Sequence, residues 1–213
     1  MGREEILKRV TAALGDRRPS QTDRAALDAR MAARPAGPPV RLEGDLADIF
    51  IAKATANLFT VERIASLQML VPAVRALLTE SDEAPDISIA ATLSHVGWPA
   101  GWNVNYGAGR PTEALSVTSA LAGIAETGSV VLASGVGSPA GLNFLPDLHV
   151  VVLRASDILA HPEDVWRRME TNPTAWPRAV NVISGPSRTA DVGGVIVRPA
   201  HGPKRVHLVI VDS

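Results

Sequence analysis

Apolar positions open the chain in a helical rhythm. Ile6, Leu7, Val10, Ala13 and Leu14 share one face, which predicts a short helix ending at Gly15. A helix this short is marginal alone and needs a surface to dock on. From Gly15 to about Gly44 the rhythm dissolves into Arg, Ala and Pro, with a helical patch around Ala25 to Ala33 and breaks at Pro35, Pro38 and Pro39. This reads as a linker; a basic tail that grips a partner is the alternative.

The pattern then tightens, and residues 45–213 read as one α/β domain after the helix (1–14) and the linker (15–44). "DLADIFIAKATANL" steps round a helix, and "LFTVE" is a short strand. "SLQMLVPAVRALLTE" carries a helical stripe whose regular part starts near Pro72. "DISIAATL" is a strand. "SVTSALAGIAETGSVVLAS" predicts a strand end, a short helix closing at Gly128, and a strand from Ser129 to Ala133. "DLHVVVL", "RAVNVISG" and "KRVHLVIVD" are strands, and "HPEDVWRRME" is a helix with Pro162 at its first position. Strands apolar on both faces, alternating with helices, predict a Rossmann-like, mostly parallel sheet with helices on both faces.

Composition narrows the functional classes. The chain has 213 residues, 46% hydrophobic, with a net charge of −1, so no basic excess points to nucleic acid or a membrane surface. It has no cysteine, which rules out disulfides and cysteine-held iron–sulfur clusters within it. No apolar run reaches the ~20 residues of a membrane helix, and the N-terminus lacks a signal-peptide core, so the expected location is the cytoplasm. The five histidines show no metal-ligand spacing.

Polar chemistry concentrates in a few turns. "ISGPSRTAD" follows a strand: Gly185 permits close backbone approach, Pro186 stops the strand, and Ser187 suits the cap of a short helix starting at Arg188. Free N–H groups beside Arg188 would suit a carboxylate or phosphate, with Asp191 holding Arg188 or Thr189 in place. Such a turn is expected beyond the carboxyl ends of the strands. A turn whose polar groups satisfy one another is the plain alternative. In "IAETGSVVL", Glu126 is placed at a helix C-terminus, where it is either solvated or kept for acid–base work or ligand gripping; Thr127 and Ser129 add hydroxyls around Gly128. His201 sits in the turn "AHGP" as an acid–base group, an anion contact or a residue held by its own backbone, while His149 and His207 read as strand residues. "SGVGSP" is a weak dinucleotide signal and a plausible loop beside a pocket. "GWPAGWNVNYGAGRP" gathers Trp98, Trp102 and Tyr106, which wall a pocket or interface, or pin their own loop.

Four blocks in order, "GIAETGSVVL", "FLPDLHVVV", "ISGPSRTADV" and "HGPKRVHLVIVD", resemble the lactate-utilisation LUD-domain family, and more narrowly its small, cluster-free C subunit. They cover about the C-terminal half of the chain. Departures fall at Ser129, where threonine is usual, and at Val192–Gly193, where an Ile–Glu pair is common. The resemblance implies a fold similar to the sugar-phosphate isomerase and CoA-transferase-like group. It implies a part in oxidising L-lactate to pyruvate alongside two iron–sulfur sibling proteins, with no cofactor on this chain. Self-association is compatible with this.

The family blocks match Glu126, Thr127 and Gly128, then Ser187, Arg188, Thr189 and Asp191, then His201, Gly202 and Pro203, with His149 in the middle block; the reading of the residues adds Ser129 and Gly185 to the candidate site. In the resulting hypothesis Arg188 and the Ser187 cap hold a carboxylate, His201 acts as base toward the hydroxyl, and Glu126 orients His201. Two other readings stay open: a free-standing phosphosugar- or CoA-ester-processing enzyme using Glu126, and a non-catalytic ligand-binding or assembly protein.

Overall fold

The computed structural model describes residues 2–15, 20–33, 37–78, 84–171, 176–189, 199 and 201–212. The chain divides into two compact units, Met1–Pro39 and Val40–Ser213. The first holds α1 (Arg3–Leu14) and α2 (Gln21–Ala33), neither of which buries a residue. α1 stops at Gly15, at φ 60°. α2 starts earlier than the expected patch because a reciprocal cap opens it. Ser20 Oγ accepts from Asp23 N at 3.1 Å, and Asp23 Oδ2 accepts from Ser20 N at 3.0 Å.

The second unit is built on a six-stranded, all-parallel sheet of β1 (Thr60–Ile64), β2 (Asp86–Ile89), β3 (Asn103–Asn105), β4 (Leu115–Ser119), β7 (Leu148–Arg154) and β10 (Arg205–Val211). Their order across the sheet is β1-β10-β7-β4-β2-β3. The continuous apolar runs arise because both faces are covered. Along β7, Leu148, Val150 and Val152 enter one core; Val151 and Leu153 enter the other. Along β10, Val209 and Val211 oppose Val206, Leu208 and Ile210 in the same way. The first core packs under α4 (Leu70–Ala76), which accepts Pro72 because it lies in the first turn.

The second core packs under α3 (Leu46–Ala56) and a second sheet. Asp45 caps α3, its Oδ1 accepting from the backbone N–H groups of Ala47 (2.9 Å) and Asp48 (3.1 Å). At the other end, Phe59 N donates to Ala54 O at 3.1 Å and Leu58 N to Thr55 O at 2.9 Å, a Schellman closure. Leu58 takes the left-handed position that glycine usually fills, at φ 72°.

The second sheet has the order β8-β5-β6-β9, from β8 (Ile158–Leu159), β5 (Ala122–Ile124), β6 (Ser129–Ala133) and β9 (Val180–Ile183). Here the structure corrects an expectation. The segment before Gly128 is not a helix but the antiparallel hairpin β5–β6, turned at residues 125–128. Gly123 explains the choice: a Cβ there would lie 2.8 Å from Leu153 Cδ2 and 3.0 Å from Phe50 Cε2, so this strand passes close over the core only without a side chain. α5 (Pro162–Glu170) packs Val165 and Met169 on this sheet's outer face, against Ala122, Ile124 and Val131. The central sheet is therefore covered on one face by α4 and on the other by α3 plus a sheet. No helix among the described residues is long and apolar enough to cross a membrane.

Candidate functional site

Two glycines anchor the site to the C-terminal end of α3. Gly128 has φ 66°, and a Cβ on it would lie 2.4 Å from Ala54 N. Gly185 has φ 104°, and a Cβ on it would lie 2.0 Å from Asn57 O. Both positions thus require glycine for conformation and for space. The end of α3 also holds the hairpin turn directly. Lys53 Nζ donates to Glu126 O at 2.7 Å, and Asn57 Nδ2 to Thr127 O at 2.8 Å.

The turn after β9 is clamped to the turn before β10. Ser187 N donates to Pro203 O at 3.0 Å, and His201 N donates to Ser187 Oγ at 3.2 Å. Gly202 lets the turns touch, since a Cβ there would lie 3.2 Å from Ser187 Cβ. Consequently Ser187 caps no helix, and none starts at Arg188. Its N–H is engaged by Pro203, so it is not a free anion donor. Asp191 lies outside the described residues.

These turns border a cavity of about 500 Å³ whose lining includes Ser187, Arg188, Thr189, His201 and Gly202. Val182, Ile183, Phe144 and Val206 supply an apolar wall. Arg188 is exposed on the rim and has no ion-pair partner among the described residues. Asn143 also lines the cavity; it is 3% exposed, and its Oδ1 has no hydrogen-bond partner among the described residues. The cavity follows the carboxyl end of β9 but faces the amino-terminal ends of β7 and β10, because Phe144 precedes β7 and His201 precedes β10. The expectation of a site at the carboxyl ends of the main sheet is corrected on this point.

Glu126 is not in that cavity's lining. Its Oε2 lies 2.8 Å from His161 Nδ1, with both side chains about a quarter exposed or less (24% and 20%). The expected Glu126–His201 relay is therefore replaced by a Glu126–His161 pair. Thr127, Ser129 and Ser184 form a hydroxyl chain: Thr127 Oγ1 donates to Ser129 Oγ at 2.8 Å, and Ser129 Oγ meets Ser184 Oγ at 2.7 Å. They border a neighbouring, largely apolar cavity of about 260 Å³. Val182 and Ser184 line both cavities. Of the selected residues, Gly185, Ser187, Arg188, Thr189, His201 and Gly202 line the larger cavity, Thr127 and Ser129 line the smaller, and Glu126 and Gly128 line neither.

His161 and Asn143 were not among the selected residues. Asn143 immediately precedes the "FLPDLHVVV" block, the one signal that could have drawn attention to it. His161 opens α5 and meets Glu126 only through the fold. His149 behaves as a strand residue, with Nε2 2.8 Å from Thr118 Oγ1 and burial lowering its pKa to about 3. Burial also lowers the pKa of His207, with Glu62 opposing the shift. The tryptophans pin their own loop: Trp98 and Trp102 lie 5.9 Å apart, and Trp98 Nε1 donates to Leu93 O at 3.0 Å. Trp102 also borders a polar cavity with Asn105 and Glu113. There the buried Glu113 carboxylate is saturated by Ser88 Oγ, Asn105 Nδ2 and Arg110 N, a structural network.

Residues 114–211, which contain both clamped turns and the β5–β6 hairpin, match the LUD domain. Over this segment the chain resembles the LUD-domain family. It is similar there to the proteins called lactate utilization protein C. That of Halalkalibacterium halodurans is 31% identical over 102 residues, covering 46% of this chain and 44% of that protein. The uncharacterized protein YkgG of Escherichia coli K12 is 36% identical over 102 residues, with the same coverage of 46% and 44%. The matches span less than half the length of these relatives. A crystal structure of a DUF162 family protein from Deinococcus radiodurans superposes with a TM-score of 0.56 at 19% identity, covering 80% of this chain and 99% of that one, which establishes the shared fold.

Proposed function

We propose that this protein works in a lactate-utilisation system as a subunit beside two iron–sulfur partner proteins, and that the cavity between the Ser187 and His201 turns holds a small carboxylate. The similarity to lactate utilization protein C supports the setting. The observation that carries the site is the clamp itself. Two segments apart in sequence are fastened by Ser187, and an Arg188 without a partner among the described residues is left at the mouth of a largely apolar cavity. A guanidinium facing an apolar wall suits an organic anion better than a bare ion. Arg188 binds the carboxylate, and His201 is the group within the same lining that can take a proton from a 2-hydroxyl. Glu126 and His161 act as a pair that fixes the hairpin turn against α5. Iron–sulfur chemistry belongs to the partners, since this chain has no cysteine to hold a cluster.

A cavity of about 500 Å³ exceeds what a three-carbon acid fills. That observation favours a second reading, a phosphosugar or CoA-ester ligand in the same cavity. Purification of the tagged chain from its native cells grown on lactate tests the choice, with iron and lactate oxidation assayed on one fraction. Two iron-bearing partners and lactate-dependent electron transfer are expected. Recovery of the chain alone, without iron or lactate activity, transfers the case to the second reading.

A further inference from the structure

The carboxyl edge of the parallel sheet carries a cavity that the proposed function does not use. In the order β1-β10-β7-β4-β2-β3, the chain leaves β2 toward β3 on one side and leaves β4 toward β7 on the other. Loops that depart in opposite directions open a crevice between the two strands, the place where open α/β sheets take ligands. A cavity of about 250 Å³ occupies this place. It shares no lining residue with the Arg188 cavity.

Its apolar surface comes from Leu67, Leu93, Ala120, Val152 and Val211. Its polar groups come from separate strand ends: Thr92 and His95 after β2, Ser119 at the end of β4, and Arg154 at the end of β7. The glycine loop after β6 borders it, with Ala91 N donating to Gly137 O at 2.7 Å and a Gly137 Cβ position 3.5 Å from Thr92 Cγ2. The acids nearby are engaged. Asp157, also in the lining, pairs with Arg168 at 2.5 Å, and Asp212 pairs with Arg63 at 2.6 Å. Arg154 and His95 have no partner among the described residues.

We propose that this cavity is a second ligand site, taking the oxyanion head of a small metabolite, with Arg154 as charge partner and His95, Thr92 and Ser119 as hydrogen-bonding partners. A guanidinium with uncommitted donors over an apolar floor recognises a carboxylate or a phosphate monoester. The volume lies below the range for drug-sized ligands, which restricts the occupant to a few carbons and one anionic group. This site stands independently of the Arg188 reading.

The test follows histidine Cε1–H resonances of the full chain by NMR, titrating acetate and inorganic phosphate separately at constant ionic strength. His95 reports this cavity, and His201 reports the other. A saturable shift of His95 is expected with one probe; acetate identifies an organic-acid site, phosphate a phosphate-monoester site. Arg154→Ala, an exposed substitution, should weaken it roughly tenfold or more, while Arg188→Ala leaves it unchanged. No His95 shift with either probe overturns the proposal. So does a shift of full strength in Arg154→Ala, or one abolished by Arg188→Ala. Failure of the Arg188 site alone appears on His201 and leaves this result intact.

Discussion

Glu126 Oε2 and His161 Nδ1 meet at 2.8 Å, joining the β5–β6 turn to the start of α5 across 35 residues of chain. Asp164 Oδ2 accepts from the His161 backbone N–H at 3.0 Å, so the same residue also opens the helix. The pair is partly solvated, which limits its worth. A double-mutant cycle with Glu126→Gln and His161→Gln, read by urea unfolding, should give a coupling of about 0.5–1 kcal/mol. A coupling near zero removes the positioning role.

Gly185→Ala should cost at least about 2 kcal/mol in urea unfolding, because the new Cβ meets Asn57 O in a left-handed backbone. Gly135→Ala is the control. It has open space and no positive φ, so its change should stay within about 0.5 kcal/mol. Equal effects would show that the contact with α3 is not what fixes Gly185.

Leu58→Gly should stabilise the protein by about 0.5–1 kcal/mol. Leu58 holds the left-handed C′ position of α3 and is 39% exposed, so relief of backbone strain outweighs the lost side chain. Thermal unfolding reads the sign directly.

Acid should destabilise the fold through His149. Its pKa falls from 6.5 to about 3 on burial, so below pH 6.5 the unfolded chain takes up a proton that the folded chain refuses. Stability is fully present above the unfolded value and is lost as pH falls from 6.5 toward 3, at up to about 1.4 kcal/mol per pH unit. His207 contributes in the same direction. In His149→Gln the slope of unfolding free energy against pH between 6 and 4 should flatten, roughly by that amount.

The parts of the fold legible in the sequence were those with one dominant cause. β7 and β10 read as buried strands because Val, Ile and Leu fill both of their faces. The β5–β6 hairpin is not legible in the sequence because Ala122, Gly123, Ile124 and Ala125 satisfy a helical pattern locally, while the approach of Gly123 to Leu153 and Phe50 is made only in the fold. The meeting of the Ser187 and His201 turns was carried by family blocks, not by spacing. The Glu126–His161 pair and the buried Asn143 oxygen depend on tertiary approach and leave no periodic trace. In the sequence His161 is marked only by its place before Pro162, which opens α5.

The most direct measurement is lactate oxidation by the complex isolated from native cells, comparing the wild-type chain with Arg188→Ala at equal assembly. Loss of the guanidinium–carboxylate contact should cost about 1.5–3 kcal/mol, raising KM for lactate roughly 10- to 100-fold while the partners still co-purify. An assembled Arg188→Ala complex with the wild-type KM would contradict the carboxylate site.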